Sequence, residues 1–161
     1  MFDRSALDHP WLKQVEATLF LQQYPRTGSD EELKTMLAAI ERLVFSMRGP
    51  YAWIVDVGGV LAAPASQRRL LSEHEDRTKE HDRRFNAGSA LLSRSAITTG
   101  IITAVFWLSK PSYPTKVFSD LREAERWARA QLKERGVDIG LEPKLSIQEL
   151  ILGSSDRPRV R

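Results

Sequence analysis

The stretch Tyr51-Ala52-Trp53-Ile54-Val55-Asp56-Val57-Gly58-Gly59 constrains the fold more than any other part of the chain. Side chains alternate between two faces along a strand, and here both faces are apolar, β-branched or aromatic up to Asp56. A strand of this kind needs cover on both sides. It suits the centre of a largely parallel sheet and not the surface of a one-sided antiparallel one. Gly58 and Gly59 end it.

The flanking pattern supplies that cover. Val15-Gln22 reads as a strand with one well-covered face, with Trp11-Gln14 as an earlier strand or its lead-in. Pro25-Ser29 is a turn, and Ser29 with Glu32 forms a capping box ahead of a helix carrying Leu33, Leu37, Ile40, Val44 and Met47 at helical spacing. A second helix runs from Ala65 to about Arg84, its distal half charged and read as solvated. Asn86-Gly88 reads as a turn into the strand Ser89-Ser93, followed by a short helix within Ser95-Leu108. Lys116-Phe118 is a short strand. Ser119 then caps a last helix through Arg135, with Leu121, Ala124, Ala128 and Leu132 inward and Gly136 as its C-cap. A further short helix is expected after the capping box Ser146-Glu149, stapled by Leu145 and Leu150. The sum is an α/β fold: a single mixed, largely parallel sheet of four to five strands with about four helices, within one domain over residues 1–152. Residues 153–161 read as a disordered basic tail.

Composition narrows the function classes. With 161 residues and 42% apolar content the chain fills one core. The net charge is +3; Arg157, Arg159 and Arg161 against Asp156 give +2, leaving about +1 for the rest, too little for the basic field that nucleic acid requires. Cysteine is absent, which removes disulfides and thiolate chemistry and fits a reducing compartment. The N-terminus has no secretory h-region. The longest apolar stretch, Ala96-Leu108, falls short of the roughly 20 residues of a membrane span, so a cytoplasmic protein is expected.

Few residues carry chemistry. Asp56, delivered by an apolar strand to a glycine turn, resembles the first motif of haloacid-dehalogenase-type phosphatases, where that aspartate is the nucleophile. Gly58 stands where those enzymes carry a second carboxylate, and no later acidic pair for magnesium is found, so Asp56 reads as a turn acceptor. His74 and His81 lie seven apart, too far along one helix to share a metal, and read as part of a salt-bridged surface helix. No serine elbow or phosphate loop is present, so neither catalytic residues nor a cofactor or metal is expected. Trp11, Trp53 and Trp127 read as core or core-edge aromatics.

The element order resembles the STAS-like group that includes bacterial anti-sigma-factor antagonists. The likeness rests on the apolar strand Trp53-Asp56, the Arg-rich helix start Gln67-Arg68-Arg69, the apolar stretch Ile101-Leu108, Lys116-Phe118, and Glu123-Ala128. It implies a non-enzymatic signalling module that binds another protein, and, through distant relatives of the architecture, an alternative as a carrier of a small apolar ligand or lipid. It also implies a regulatory hydroxyl at the helix start. Ser66 is the one nearby, and a phosphate there would meet Arg68 and Arg69, although the family's usual signature is missing and a plain helix cap is the competing role. Phe106 and Trp107, about 100° apart on a helix, cannot both face one core stripe, so one should lie at the edge or outside, covered by a partner or a second copy in a homodimer.

Overall fold

The computed structural model describes residues 7–146. Its centre is a five-stranded sheet in the order β1-β2-β3-β4-β5, comprising β1 (Leu12–Glu16), β2 (Leu19–Gln23), β3 (Tyr51–Asp56), β4 (Asn86–Leu92) and β5 (Thr115–Phe118). β1 pairs antiparallel with β2, and every other pair is parallel, so the expected mixed, largely parallel sheet is present with β3 at its centre. Four helices complete it: α1 (Asp30–Ser46), α2 (Ala65–Phe85), α3 (Ala96–Leu108) and α4 (Leu121–Glu134). None is long and apolar enough to cross a membrane among the described residues.

Each crossover from β2 to β5 steps one strand along the sheet in the same direction, and right-handed connections of that kind place their helices on one face. α1, α2 and α3 accordingly share a core with Phe20, Tyr51, Trp53, Val55 and Leu91. α4 alone covers the opposite face, packing Leu121, Ala124, Ala128 and Leu132 on Leu19, Leu21, Ala52, Ile54, Ala90 and Leu92. Small residues on both sides bring that helix close. A Cβ on Gly88 would stand 3.0 Å from the Trp127 ring.

Three local expectations are corrected. Val15-Gln22 is not one strand: the chain reverses at Ala17-Thr18, and Glu16 pairs with Leu19 in a hairpin. The reversal uses no glycine or asparagine, and no described non-glycine residue has positive φ, so the usual hairpin signal is missing. Asn86-Gly88 is not a turn. α2 runs straight into β4, and the extra residue is absorbed as a register shift opposite Tyr51 and Ala52, with the Gly88 N–H donating to Asn86 Oδ1 at 3.0 Å. The last helix is capped by Asp120, which accepts from the Glu123 N–H at 2.9 Å, and not by Ser119. The Ser29–Glu32 capping box forms as expected, and Gly136 ends α4 at φ 86°. Leu145 is buried; the helix expected after it and the tail at 153–161 lie outside the described residues.

Candidate functional site

α2 decides what the α1–α3 side of the sheet can hold. Its inward stripe begins with Leu70 and Leu71 and continues, at helical spacing, through His74, Glu75, Thr78 and Asp82. Polar side chains therefore stand where a leucine stripe would pack down onto the sheet. The result is a cavity of about 160 Å³ between the sheet and the three helices, walled by Leu37, Ile40 and Val44 of α1, Trp53 and Val55 of β3, and Ile102, Val105 and Phe106 of α3. Exposed Arg26, Ser29 and Ala62 border it at the loops following β2 and β3, where it reaches solvent. The opposite end carries Asp82, Asn86, Ser89 and Tyr113.

The polar groups of this cavity differ in how fully they are bonded. His74 Nδ1 meets Glu41 Oε1 at 3.0 Å, and Arg77 Nε donates to the same oxygen at 2.8 Å, clamping α1 to α2. The hydrogen bond with His74 holds the Glu41 carboxyl below its usual range, Arg77 adding to the effect. Thr78 returns its hydroxyl to the His74 carbonyl at 3.2 Å. Asp82 accepts from the Tyr51 hydroxyl at 2.5 Å, and Glu75 accepts from the Tyr113 hydroxyl at 2.8 Å. Burial pushes the Glu75 carboxyl above its ordinary range; the Tyr113 hydrogen bond and the charge of His74 oppose that shift, and the charges of Asp82 and Asp76 add to it. Burial likewise raises the hydroxyls of Tyr24, Tyr51 and Tyr113.

The loop from α3 to β5 is tied over α2 by Tyr113 and by the hydroxyls of Ser109, to Asp76, and Ser112, to the Lys79 carbonyl. Both ends of α3 are thus fixed, the other by Ser95, which caps it at 3.1 Å from the Thr98 N–H. The helix roofs the cavity with one face and turns the other outward. Phe106 is half-buried in the cavity wall, and Trp107 is 85% exposed, with Ile97 at 70% and Leu108 at 58% also outside. One aromatic in and one out is the arrangement the 100° offset required.

The remaining sequence candidates are dispersed. Ser66 is exposed at the second residue of α2 but is not its cap: Pro64 holds that position and no side chain closes the helix there. Arg68 donates to the Ala63 carbonyl at 2.6 Å, which commits it to the preceding loop, and Arg69 is exposed. Asp56 accepts from the Gly58 N–H at 3.0 Å, the turn role expected of it, and burial raises its carboxyl. The reading of His74 and His81 as members of a solvated surface helix is corrected. His74 is buried against Glu41, and His81 is half-buried among the rings of Phe45, Tyr51 and Phe85. Among the described residues no group of three or more His, Asp or Glu is placed to hold a metal.

Sequence reasoning missed the cavity residues Glu75, Thr78, Asp82 and Tyr113. The available signal was the spacing of His74, Thr78 and Asp82 at i, i+4 and i+8, in register with the apolar start of the helix. No family model matches the chain, and neither a curated protein nor a solved structure does.

Proposed function

We propose that this chain is a non-enzymatic binding protein that takes a small ligand with an apolar body and one polar group into the space between its sheet and α1–α3. The observation that carries this reading is the cavity itself. A pocket of about 160 Å³ with aliphatic and aromatic walls and polar groups along α2 and at its inner end has the composition of a small-molecule site. A dry cavity of about this size is large enough to hold a benzene ring. The nearest acid to a catalytic role, Asp56, lies at the strand end with its carboxylate already bonded to the turn, which favours binding over phosphoryl chemistry. Native mass spectrometry of the purified protein, with thermal shift against short-chain alcohols, tests it. Retained or added ligand should raise the melting temperature, and a protein that responds to none of them would end this reading.

A second reading, that the chain also binds another protein in the manner of the STAS-like group, draws on the outer face of α3. Ile97, Trp107 and Leu108 are exposed large apolar side chains on the outward side of one short helix, Trp107 and Leu108 adjacent at its end, and an exposed tryptophan of that kind suits the centre of an interface. The element order expected from the resemblance supports it as well. A homodimer is the simplest partner, and sedimentation of the wild type against Trp107→Ser distinguishes it from a heterologous one.

A further inference from the structure

We propose that the cavity selects an organic cation, an amine borne on an apolar chain, with its ammonium against Glu75 and in the field of Asp82. This deepens the ligand-binding reading above and rests on it.

Glu75 and Asp82 line the same space two turns apart on α2, about 10 Å along the helix axis. Each accepts one neutral hydroxyl, from Tyr113 and from Tyr51, and neither forms an ion pair with a described Lys, Arg or His. The two basic side chains in the lining are otherwise placed: His74 is bonded to Glu41, and Arg26 is exposed at the mouth. The interior therefore carries two acids with no direct ion-pair partner, the neighbouring His74 being bonded to Glu41 and acting on Glu75 only through its charge, and burying a carboxylate is costly unless a cation or full hydrogen bonding compensates it. A ligand ammonium supplies both. Trp11, Tyr24 and Trp53 also line the cavity, and aromatic faces attract a cation in addition to packing its chain. A fatty acid of the same length would bring a third negative charge to Glu75 and Asp82, and an alcohol would leave both unneutralised.

The lining spans α2 from Gln67 to Asp82, roughly 22 Å of helix, so a linear chain fits the space better than a bulky one. Octylamine, 1-octanol and octanoate share one chain and differ only in head group. Their affinities at pH 7 can be read from tryptophan fluorescence and thermal shift on the full chain. Octylamine should bind at least tenfold tighter than 1-octanol, and octanoate weakest. Glu75→Gln keeps an acceptor for Tyr113; it should erase the amine's advantage and leave 1-octanol binding unchanged, and Asp82→Asn should reduce the advantage in the same direction if the first variant does not fold. Octanoate binding as tightly as octylamine, or an amine preference untouched by both variants, would overturn the proposal while 1-octanol binding left the cavity reading standing. Failure of all three ligands to bind would remove both.

Discussion

The two faces of the sheet both bury charge, and they treat it differently. Under α4, Glu125 and Arg129 are buried and saturated: Arg129 donates to Glu125 through Nε at 3.0 Å and Nη2 at 2.7 Å, to Glu16 at 3.4 Å, and to the Ile139 carbonyl at 3.2 Å. Glu125 in turn accepts the backbone N–H groups of Lys144 and Leu145 at 2.8 and 2.9 Å. That network sews the segment after α4 back onto the helix. Under α1–α3, Glu75 and Asp82 each receive one hydroxyl and look onto open space. A buried charge whose bonding capacity is used up within the protein serves the fold. One left with spare capacity at the edge of a void is available to something else.

The largest expected effect lies on the saturated side. Glu125→Gln leaves the buried Arg129 guanidinium with only the longer contact to Glu16 at 3.4 Å as a counterion, and the loss of its close partner costs about 3 kcal/mol, at the low end of the penalty for breaking a buried pair. Removing both charges with Glu125→Gln and Arg129→Met should cost less than the two single changes summed, since no unpaired charge remains. Urea unfolding of the four proteins measures this, and additive losses would mean the pair is not the unit that holds this face.

On the other face the sharpest contrast is within one helix. Phe106→Ser, in the cavity wall, should cost about 2 kcal/mol from lost apolar contact. Trp107→Ser should change stability by no more than about 0.5 kcal/mol, because an exposed side chain has little to lose on folding. Equal losses at the two positions would place Trp107 in the core and remove the proposed partner surface.

This asymmetry also marks what was legible in the sequence. Elements whose signal is apolar and periodic were readable: the two-faced strand at Tyr51-Asp56, the α1 stripe behind its capping box, and Leu121, Ala124, Ala128 and Leu132 on α4. The candidate site was not, because its defining stretch on α2 is polar on every side. Hydrophobicity distinguishes an inward Asp82 from an outward Arg83 only when the spacing from Leu71 is carried through the charged run, and the partners that bury these residues, Tyr51 and Tyr113, are 31 and 38 residues away in the chain. The hairpin at Ala17-Thr18 was hidden for a different reason, having no turn residue of the usual kind. Asn86-Gly88 misled in the opposite sense, carrying turn residues in a strand whose glycine makes room for Trp127.

A smaller effect should come from His81, which packs on Phe45, Tyr51 and Phe85 with its Nε2 buried and unbonded. Burial lowers its basicity; Arg48 and Arg84 act in the same sense, while the Val44 carbonyl and Asp82 oppose them. A base whose affinity for protons is lower when folded stabilises the fold above its unfolded pKa of about 6.5, and that contribution is lost as the pH falls below it. His81→Phe keeps the ring packing and removes the titration. Its urea midpoint should therefore drop less than that of the wild type between pH 7.5 and 5.5, and an equal drop would assign the acid sensitivity elsewhere.

The smallest effect, and the one that bears most directly on the comparison, is expected at Glu75. Its carboxyl is shifted upward in the fold, chiefly by burial, so the folded state binds a proton more readily than the unfolded chain. The sign is the reverse of the His81 case. Stability from this group is fully present below the unfolded carboxyl value of about 4.3 and declines as pH rises through the folded value. Glu75→Gln mimics the neutral form, keeps an oxygen for the Tyr113 hydroxyl, and is indifferent to pH. The groups facing it, His74, Asp76, Asp82 and Tyr113, are the same in both proteins. The variant should therefore match the wild type to within about 1 kcal/mol near pH 4 and become the more stable of the two near pH 8, since a neutral isostere avoids the cost of a desolvated carboxylate that Tyr113 and His74 offset only in part. The identical substitution at Glu125 is expected to be strongly destabilising near neutral pH. If Glu75→Gln instead destabilises the protein near pH 8 as Glu125→Gln does, Glu75 is a structural group whose bonding is complete, and the distinction between the two faces disappears.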